Sequence, residues 1–212
     1  MARFAILLGG NLTITARLRR QLAGARVIAA DSGMIHAAVL GLVPELWVGD
    51  FDSAGSELTV QYKSIPRQTH PAEKDTTDGA LAIAEALRRG ATEVVMVGGF
   101  GGQSDHMLGH FGQLLQLAER NCIAIMSSGY EEALAFRAGK TPIDCPPGSR
   151  LSLIPFGDLV GLDLEGVKWP LAGRNVPLGS TLTISNVALG PVRLSLKSGY
   201  GVAVFYPQLS DG

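Results

Sequence analysis

The spacing of apolar residues changes once along the chain, and that change sets what it can fold into. From residue 3 to about residue 125, short apolar runs alternate with segments of helical spacing, the grammar of a parallel sheet with crossover helices. Candidate strands fall at residues 4–8, 26–30, 45–48, 93–97 and 122–126. Between them, residues 33–40 and 79–89 read as helices that stop at Gly41 and Gly90, where glycine accepts the left-handed C-cap conformation. Residues 105–120 read as a third helix, because Met107, Leu108, Phe111, Leu114, Leu115 and Ala118 fall on one face. After about Gly129 the segments 150–155, 159–164, 181–185, 192–196 and 202–206 are short, strand-like and separated by Gly or Pro. The expected fold class is therefore α/β + β: an N-terminal Rossmann-like parallel α/β domain over residues 1–140, then a smaller antiparallel β-sandwich domain over residues 141–212.

Composition narrows the partners. Eighteen Lys plus Arg against nineteen Asp plus Glu give a net charge of -1, which argues against a broad surface for nucleic acid or anionic membrane. Cys122 and Cys145 stand far apart with no metal-ligand spacing, so neither a disulfide scaffold nor a zinc ribbon is indicated, and a reducing cytoplasm is the expected location. The apolar run at the start ends after Leu8, short of a secretory core, and no stretch has the length of a membrane span.

Six of the ten aspartates lie between residues 31 and 105, mostly where a candidate strand ends or a helix begins. In open parallel sheets ligands bind beyond the carboxyl ends of strands, so Asp31 and Asp50 are candidates for one crevice. In Asp50-Phe51-Asp52-Ser53 two carboxylates at i and i+2 share a side of an extended segment and suit a hard cation such as Mg²⁺; an Asx turn with a solvated charge is the plainer alternative. Lys74-Asp75-Thr76-Thr77-Asp78 enters the second helix. Asp75 as N-cap with Asp78 three positions on would explain that spacing by capping alone, whereas Lys74 adds a point charge suited to a metal-bound polyphosphate.

The loop Gly98-Gly99-Phe100-Gly101-Gly102-Gln103-Ser104-Asp105-His106 lets backbone approach a ligand, yet Ser104 stands where a dinucleotide fingerprint needs its third glycine. Gly139-Lys140-Thr141 likewise fails as a P-loop, with Leu134 at the first glycine position and Pro142 following. His106 and His110, at i and i+4, read as helix packing and capping rather than as a zinc pair. In the β part, Trp169 suits stacking on a flat heterocycle or burial in a core, and Ser185-Asn186 supplies polar atoms at a strand end or makes a turn.

Taken in order, Asp31-Ser32-Gly33, Gly49-Asp50-Phe51-Asp52-Ser53, Lys74-Asp75-Thr76-Thr77-Asp78, Ser104-Asp105-His106, Gly166-Val167-Lys168-Trp169-Pro170-Leu171 and Ser185-Asn186 resemble the thiamine pyrophosphokinase family over nearly the whole chain. The resemblance implies transfer of pyrophosphate from ATP to the thiamine hydroxyl, giving thiamine diphosphate and AMP. It implies Mg²⁺ on Asp50, Asp52 and Asp78, with Asp75 in the same catalytic group. ATP is expected to meet Asp31, Lys74 and Gln103, and thiamine to meet Asp105, Trp169, Ser185 and Asn186. It further implies a homodimer with thiamine near the subunit interface. Two positions depart from the family pattern, Gln103 in place of arginine and His110 in place of asparagine. Rival expectations are a pyrophosphokinase for another heterocyclic alcohol such as a hydroxymethylpterin, and a catalytically weak thiamine-binding sensor.

Overall fold

The computed structural model describes residues 2–51, 56–70 and 75–207, so Asp52 and Lys74 lie outside the described residues. The chain divides into two compact units, Met1–Gln113 with Asn121–Gly129, and Leu114–Arg120 with Tyr130–Gly212.

Among the described residues the first unit has six strands: β1 (Arg3–Leu7), β2 (Arg26–Ala30), β3 (Leu46–Gly49), β4 (Arg67–Thr69), β5 (Glu93–Val97) and β6 (Ile123–Ser127). Every pairing among them is parallel, in the order β6-β5-β1-β2-β3-β4. Five helices connect them: α1 (Ala16–Leu22), α2 (Ile35–Leu40), α3 (Ser56–Gln61), α4 (Asp78–Arg88) and α5 (Ser104–Glu119), with a 3₁₀ turn at Asp31–Met34 leading into α2. Phe4, Ala5, Ile6 and Leu7 of β1 are all fully buried, as a central parallel strand covered on both faces requires. Strands expected at 26–30 and 93–97 coincide residue for residue, and those expected at 4–8, 45–48 and 122–126 are each displaced by one position along the chain.

One capping expectation is corrected. Thr77, not Asp75, is the N-cap of α4: its Oγ1 accepts from the Ala80 N–H at 3.2 Å, and Asp78 is the first helical residue. The extended backbone of Thr77 (φ -80°, ψ 156°) aims its hydroxyl at that amide, which leaves the Asp78 carboxylate beside the positive helix end. At the other end Gly90 N–H donates to Leu87 and Ala91 N–H to Ala86. There buried Glu85 takes two hydrogen bonds from Arg88 and one from Arg89, while Glu45 is held by Arg26 and Arg89.

The second unit is antiparallel: β7 (Glu132–Ile143), β8 (Arg150–Pro155), β9 (Leu159–Val167), β10 (Leu171–Val176) and β11 (Asn186–Tyr206). The segments expected at 192–196 and 202–206 are one strand, β11, interrupted by a register shift between Leu196 and Tyr200. The expected strand at 181–185 is a turn: Ile184 N–H closes on the Thr181 carbonyl, Leu182 N–H on the Ser180 hydroxyl, and Ser185 takes a left-handed φ of 63°. Thr183 is nonetheless tied in, its hydroxyl donating to Leu153 at 2.7 Å.

Candidate active site

Strand order reverses at β1: the chain proceeds outward through β2, β3 and β4, then returns to place β5 on the other side of β1. At such a point the loops leaving two neighbouring strands run in opposite directions and open a crevice beyond their carboxyl ends. A pocket of about 470 Å³ lies there. Its walls are the loop after β1 (Leu8, Gly9, Gly10), the loop after β5 (Gly98, Gly99, Gly101, Gly102, Gln103) and the end of β2 with the 3₁₀ turn (Ala30, Asp31, Ser32). The start of α4 (Thr77, Asp78, Gly79) and one face of α5 (His106, His110) complete it.

The two glycine loops are zipped together. Leu8 N–H donates to Val97, Gly10 N–H to Gly98 and Asn11 N–H to Phe100, at 2.7–2.8 Å. A side chain at Gly10 would run into the carbonyls of Gly98 and Phe100, and Gly98 has a φ of 75°, so glycine is required at both places. The N–H groups of Gly9, Gly99, Gly101 and Gly102 have no protein acceptor among the described residues. Backbone N–H groups on glycine loops, together with a helix N-terminus, form an anion-binding wall.

Two imidazoles back this wall. His36 Nε2 lies 2.9 Å from the Gly10 carbonyl and His110 Nδ1 lies 3.0 Å from the Gly99 carbonyl. Burial holds both pKa values below the ordinary value of 6.5 against the raising effect of those hydrogen bonds, and His106 lowers His110 further.

Of the expected site residues, the structure brings Asp31, Asp78 and Gln103 to the pocket. Asp31 sits at a φ of 43°, its carbonyl taking the Trp47 indole N–H at 2.8 Å. Gln103 precedes α5 and accepts from Met107 N–H. Asp50 follows β3 and is half-buried, Asp75 and Asp105 are exposed, and none of the three borders the pocket. The Asp105 carboxylate accepts from His106 N–H at 2.8 Å. Among the described residues no three His, Cys, Asp or Glu side chains form a cation-binding group, but Asp52 is not among those residues.

In the second unit Trp169 is 54% exposed, with the Lys168 ammonium 4.7 Å from its ring centroid. Asn186 is buried; its Oδ1 accepts from Trp169 N–H and its Nδ2 donates to the Trp169 carbonyl. Its amide therefore shapes the Trp169 turn. Ser185 donates its N–H to the Ser152 hydroxyl.

Sequence reasoning missed Gly9-Gly10, Ser32 and His36. The glycine pair directly after an apolar run was a readable signal, whereas nothing in the local pattern marks His36. Two arginines of the first unit do not supply the guanidinium absent at Gln103: Arg67 lies over the Trp47 and Phe51 rings and donates to Thr59, and Arg88 is paired with Glu85 at the far end of α4. No Lys or Arg lines the pocket among the described residues.

Two family descriptions match successive parts of the chain. The family descriptions "Thiamin pyrophosphokinase, catalytic domain" and "Thiamin pyrophosphokinase, vitamin B1 binding domain" match residues 21–126 and 140–200. A thiamine pyrophosphokinase of Bacillus subtilis is 32% identical over 163 residues, 75% of this chain and 76% of that protein. The crystal structure of a thiamine pyrophosphokinase from Bacillus subtilis superposes with a TM-score of 0.86 at 27% identity, covering 98% of this chain and all of the other. The yeast thiamin pyrophosphokinase structure, at 14% identity, shares the fold with a TM-score of 0.80 over 98% of this chain and 87% of its own.

Proposed function

The chain belongs to the thiamine pyrophosphokinase family, and from that premise we propose that the pocket at the β1/β5 reversal is where ATP donates its diphosphate to thiamine. The reaction is attack of the thiamine hydroxyl oxygen on the β-phosphorus of ATP, with release of AMP and loss of the hydroxyl proton. The observation that carries the assignment is the pairing of an N–H-rich glycine wall with two carboxylates, Asp31 and Asp78, around one 470 Å³ pocket. We read the first unit as a Rossmann-like nucleotide-binding domain and the second as the sandwich that meets thiamine.

The donor chemistry suits magnesium: Asp78 borders the pocket, and Asp50, which follows β3 and does not line it, is proposed to share the ion together with Asp52 of its own motif, all three being hard oxygen ligands. When bound, Mg²⁺ neutralises charge on the phosphate oxygens. The chain's own residues then bind and orient. Gly9, Gly99, Gly101 and Gly102 present N–H groups to the phosphates, Asp31 and Gln103 border the nucleotide, and Lys74 adds a point charge from outside the described residues. Asp78, at the pocket, is better placed than exposed Asp75 to take the hydroxyl proton. Trp169, held by Asn186, offers a ring face to the cationic thiazolium, and Ser185 and Asp105 are the polar residues we assign to thiamine.

We further propose a homodimer with thiamine near the subunit interface, and a cytoplasmic location, with which two buried thiols are compatible. No described helix is long and apolar enough to cross a membrane. The pterin-alcohol and sensor readings are not favoured, since both family descriptions and the curated relative are thiamine pyrophosphokinases, one description being of the catalytic domain. The test is AMP release from Mg-ATP with and without thiamine, with Asp52→Asn as matched control. Thiamine-dependent AMP that disappears in the variant is the expected result; thiamine binding without AMP would overturn the catalytic reading.

A further inference from the structure

Resting on the diphosphate-transfer reading, we propose that His36 and His110 are positioning residues for the phosphate chain of ATP. Each commits a ring N–H to a glycine-loop carbonyl, so that these two oxygens are held by the protein and are not offered to a polyanion.

Four consecutive carbonyls leave β5 for the pocket loop. Those of Val97, Gly98 and Phe100 accept from Leu8, Gly10 and Asn11 across the two loops. Gly99 falls between the rungs of that ladder and has no peptide donor opposite it; His110 Nδ1 reaches it from α5 at 3.0 Å. The Gly10 carbonyl, on the facing loop, is equally outside the ladder, and His36 Nε2 reaches it from α2 at 2.9 Å. Two imidazoles from different helices thus cover two carbonyls that the backbone pairing leaves open.

Covering them matters because glycine peptides rotate with little steric resistance. A flip of the Gly99–Phe100 peptide would bring the negative end of a carbonyl into the pocket, and nothing with a fixed positive charge lines that pocket among the described residues to compensate. A carbonyl only accepts, so the proton sits on Nδ1 of His110 and on Nε2 of His36. Burial keeps both rings neutral, so the function is that of a donor and not of a cation. An amide side chain of matching reach supplies an equivalent donor, with asparagine standing in for Nδ1 of His110 and glutamine for Nε2 of His36.

The test compares Mg-ATP binding by calorimetry, and KM for ATP and thiamine, in the full-length protein and in His36→Leu, His110→Leu, His36→Gln and His110→Asn. Each leucine variant is expected to weaken ATP binding and raise its KM about tenfold, the size of one lost hydrogen bond. The KM for thiamine should stay within about twofold, and the amide variants should recover most of the ATP affinity. Folded leucine variants with unchanged ATP affinity, or amide variants no better than leucine, would overturn the proposal. Should the leucine variants fail to fold, ¹⁵N spectra of the histidine rings in the unmodified protein decide it: Nδ1–H on His110 and Nε2–H on His36, both more protected with Mg-ATP, support it, and the opposite tautomers sink it. Binding of Mg-ATP without thiamine-dependent AMP overturns the catalytic reading while leaving the affinity comparison decisive here; no binding at all overturns both.

Discussion

Trp47, fully buried at the centre of β3, donates its indole N–H to the main-chain carbonyl of Asp31 at 2.8 Å, so the acidic turn at the pocket edge is fastened to the core of the sheet. Asp31 needs such fastening because its backbone occupies the left-handed region at a φ of 43°, which is costly for a residue with a Cβ. Trp47→Phe keeps an aromatic ring but removes the donor. Urea unfolding should show a loss of about 1–3 kcal/mol. The same variant should raise the KM for ATP more than the KM for thiamine, because the displaced turn borders the nucleotide pocket; equal effects on both would argue against this placement.

Two adjacent residues at the start of α4 separate a structural from a chemical role. Thr77→Ala removes the N-cap bond to Ala80 and should lower stability by about 1 kcal/mol while leaving turnover within a few-fold. Asp78→Asn keeps the helix but takes a charge from the pocket, and AMP release should fall by about a hundredfold or more. Steady-state kinetics beside thermal unfolding of both variants checks the contrast; the reverse pattern would make Asp78 a capping residue only.

Acid should weaken the fold in two separate windows. His36 and His110 have folded pKa values below the ordinary 6.5, so the unfolded chain takes up protons first and stability declines as pH falls below about 6.5. Glu85 is held at about 2 by its hydrogen bonds from Arg88 and, next, Arg89, against the opposing effect of burial. Its contribution is complete above its ordinary value of 4.5 and is lost as pH falls from there toward 2. Glu85→Gln should therefore flatten the lower window of a stability profile measured by urea unfolding and leave the upper one in place.

The parallel part of the fold was legible because buried strands such as Phe4-Ala5-Ile6-Leu7 and Val94-Val95-Met96-Val97 are continuous apolar runs bounded by turns. β4 was not, since Arg67-Gln68-Thr69 is a short polar strand that pairing with β3 alone makes extended. Thr181-Leu182-Thr183-Ile184-Ser185 has the alternation of a strand, but the turn bonds at Ser180 and Thr181 override it. At the site, the carboxylates stood out as charges at strand ends. The His36 contact with Gly10 joins residues 26 positions apart and has no local signature.

Trp169 and Asn186 lead to a paired prediction for thiamine. Trp169→Ala removes the exposed ring and should raise the KM for thiamine about tenfold with little change in stability or in the KM for ATP. Asn186→Ala instead leaves both main-chain groups of Trp169 without their partner, so it should raise the thiamine KM and also lower stability by about 1–3 kcal/mol. The KM for thiamine and thiamine binding by calorimetry, together with thermal unfolding, distinguish the two; an unchanged thiamine KM in both would remove this turn from the substrate site.

Gln103 is the position where a single substitution should improve the protein. It stands at the entrance to α5 on the pocket wall, in a site that no described Lys or Arg borders, and Arg67 and Arg88 are occupied elsewhere. A guanidinium at this position would add a permanent charge and a fork of donors that an amide lacks. Its cost should be small, because Gln103 is exposed and its link to the helix, acceptance from Met107 N–H, uses the main chain. Gln103→Arg is therefore expected to lower the KM for ATP by about three- to tenfold, with the gain shrinking as salt rises. Kinetics at two ionic strengths tests this. A KM unchanged at low salt would mean that phosphate charge is already met by groups outside the described pocket, with Lys74 the first to examine.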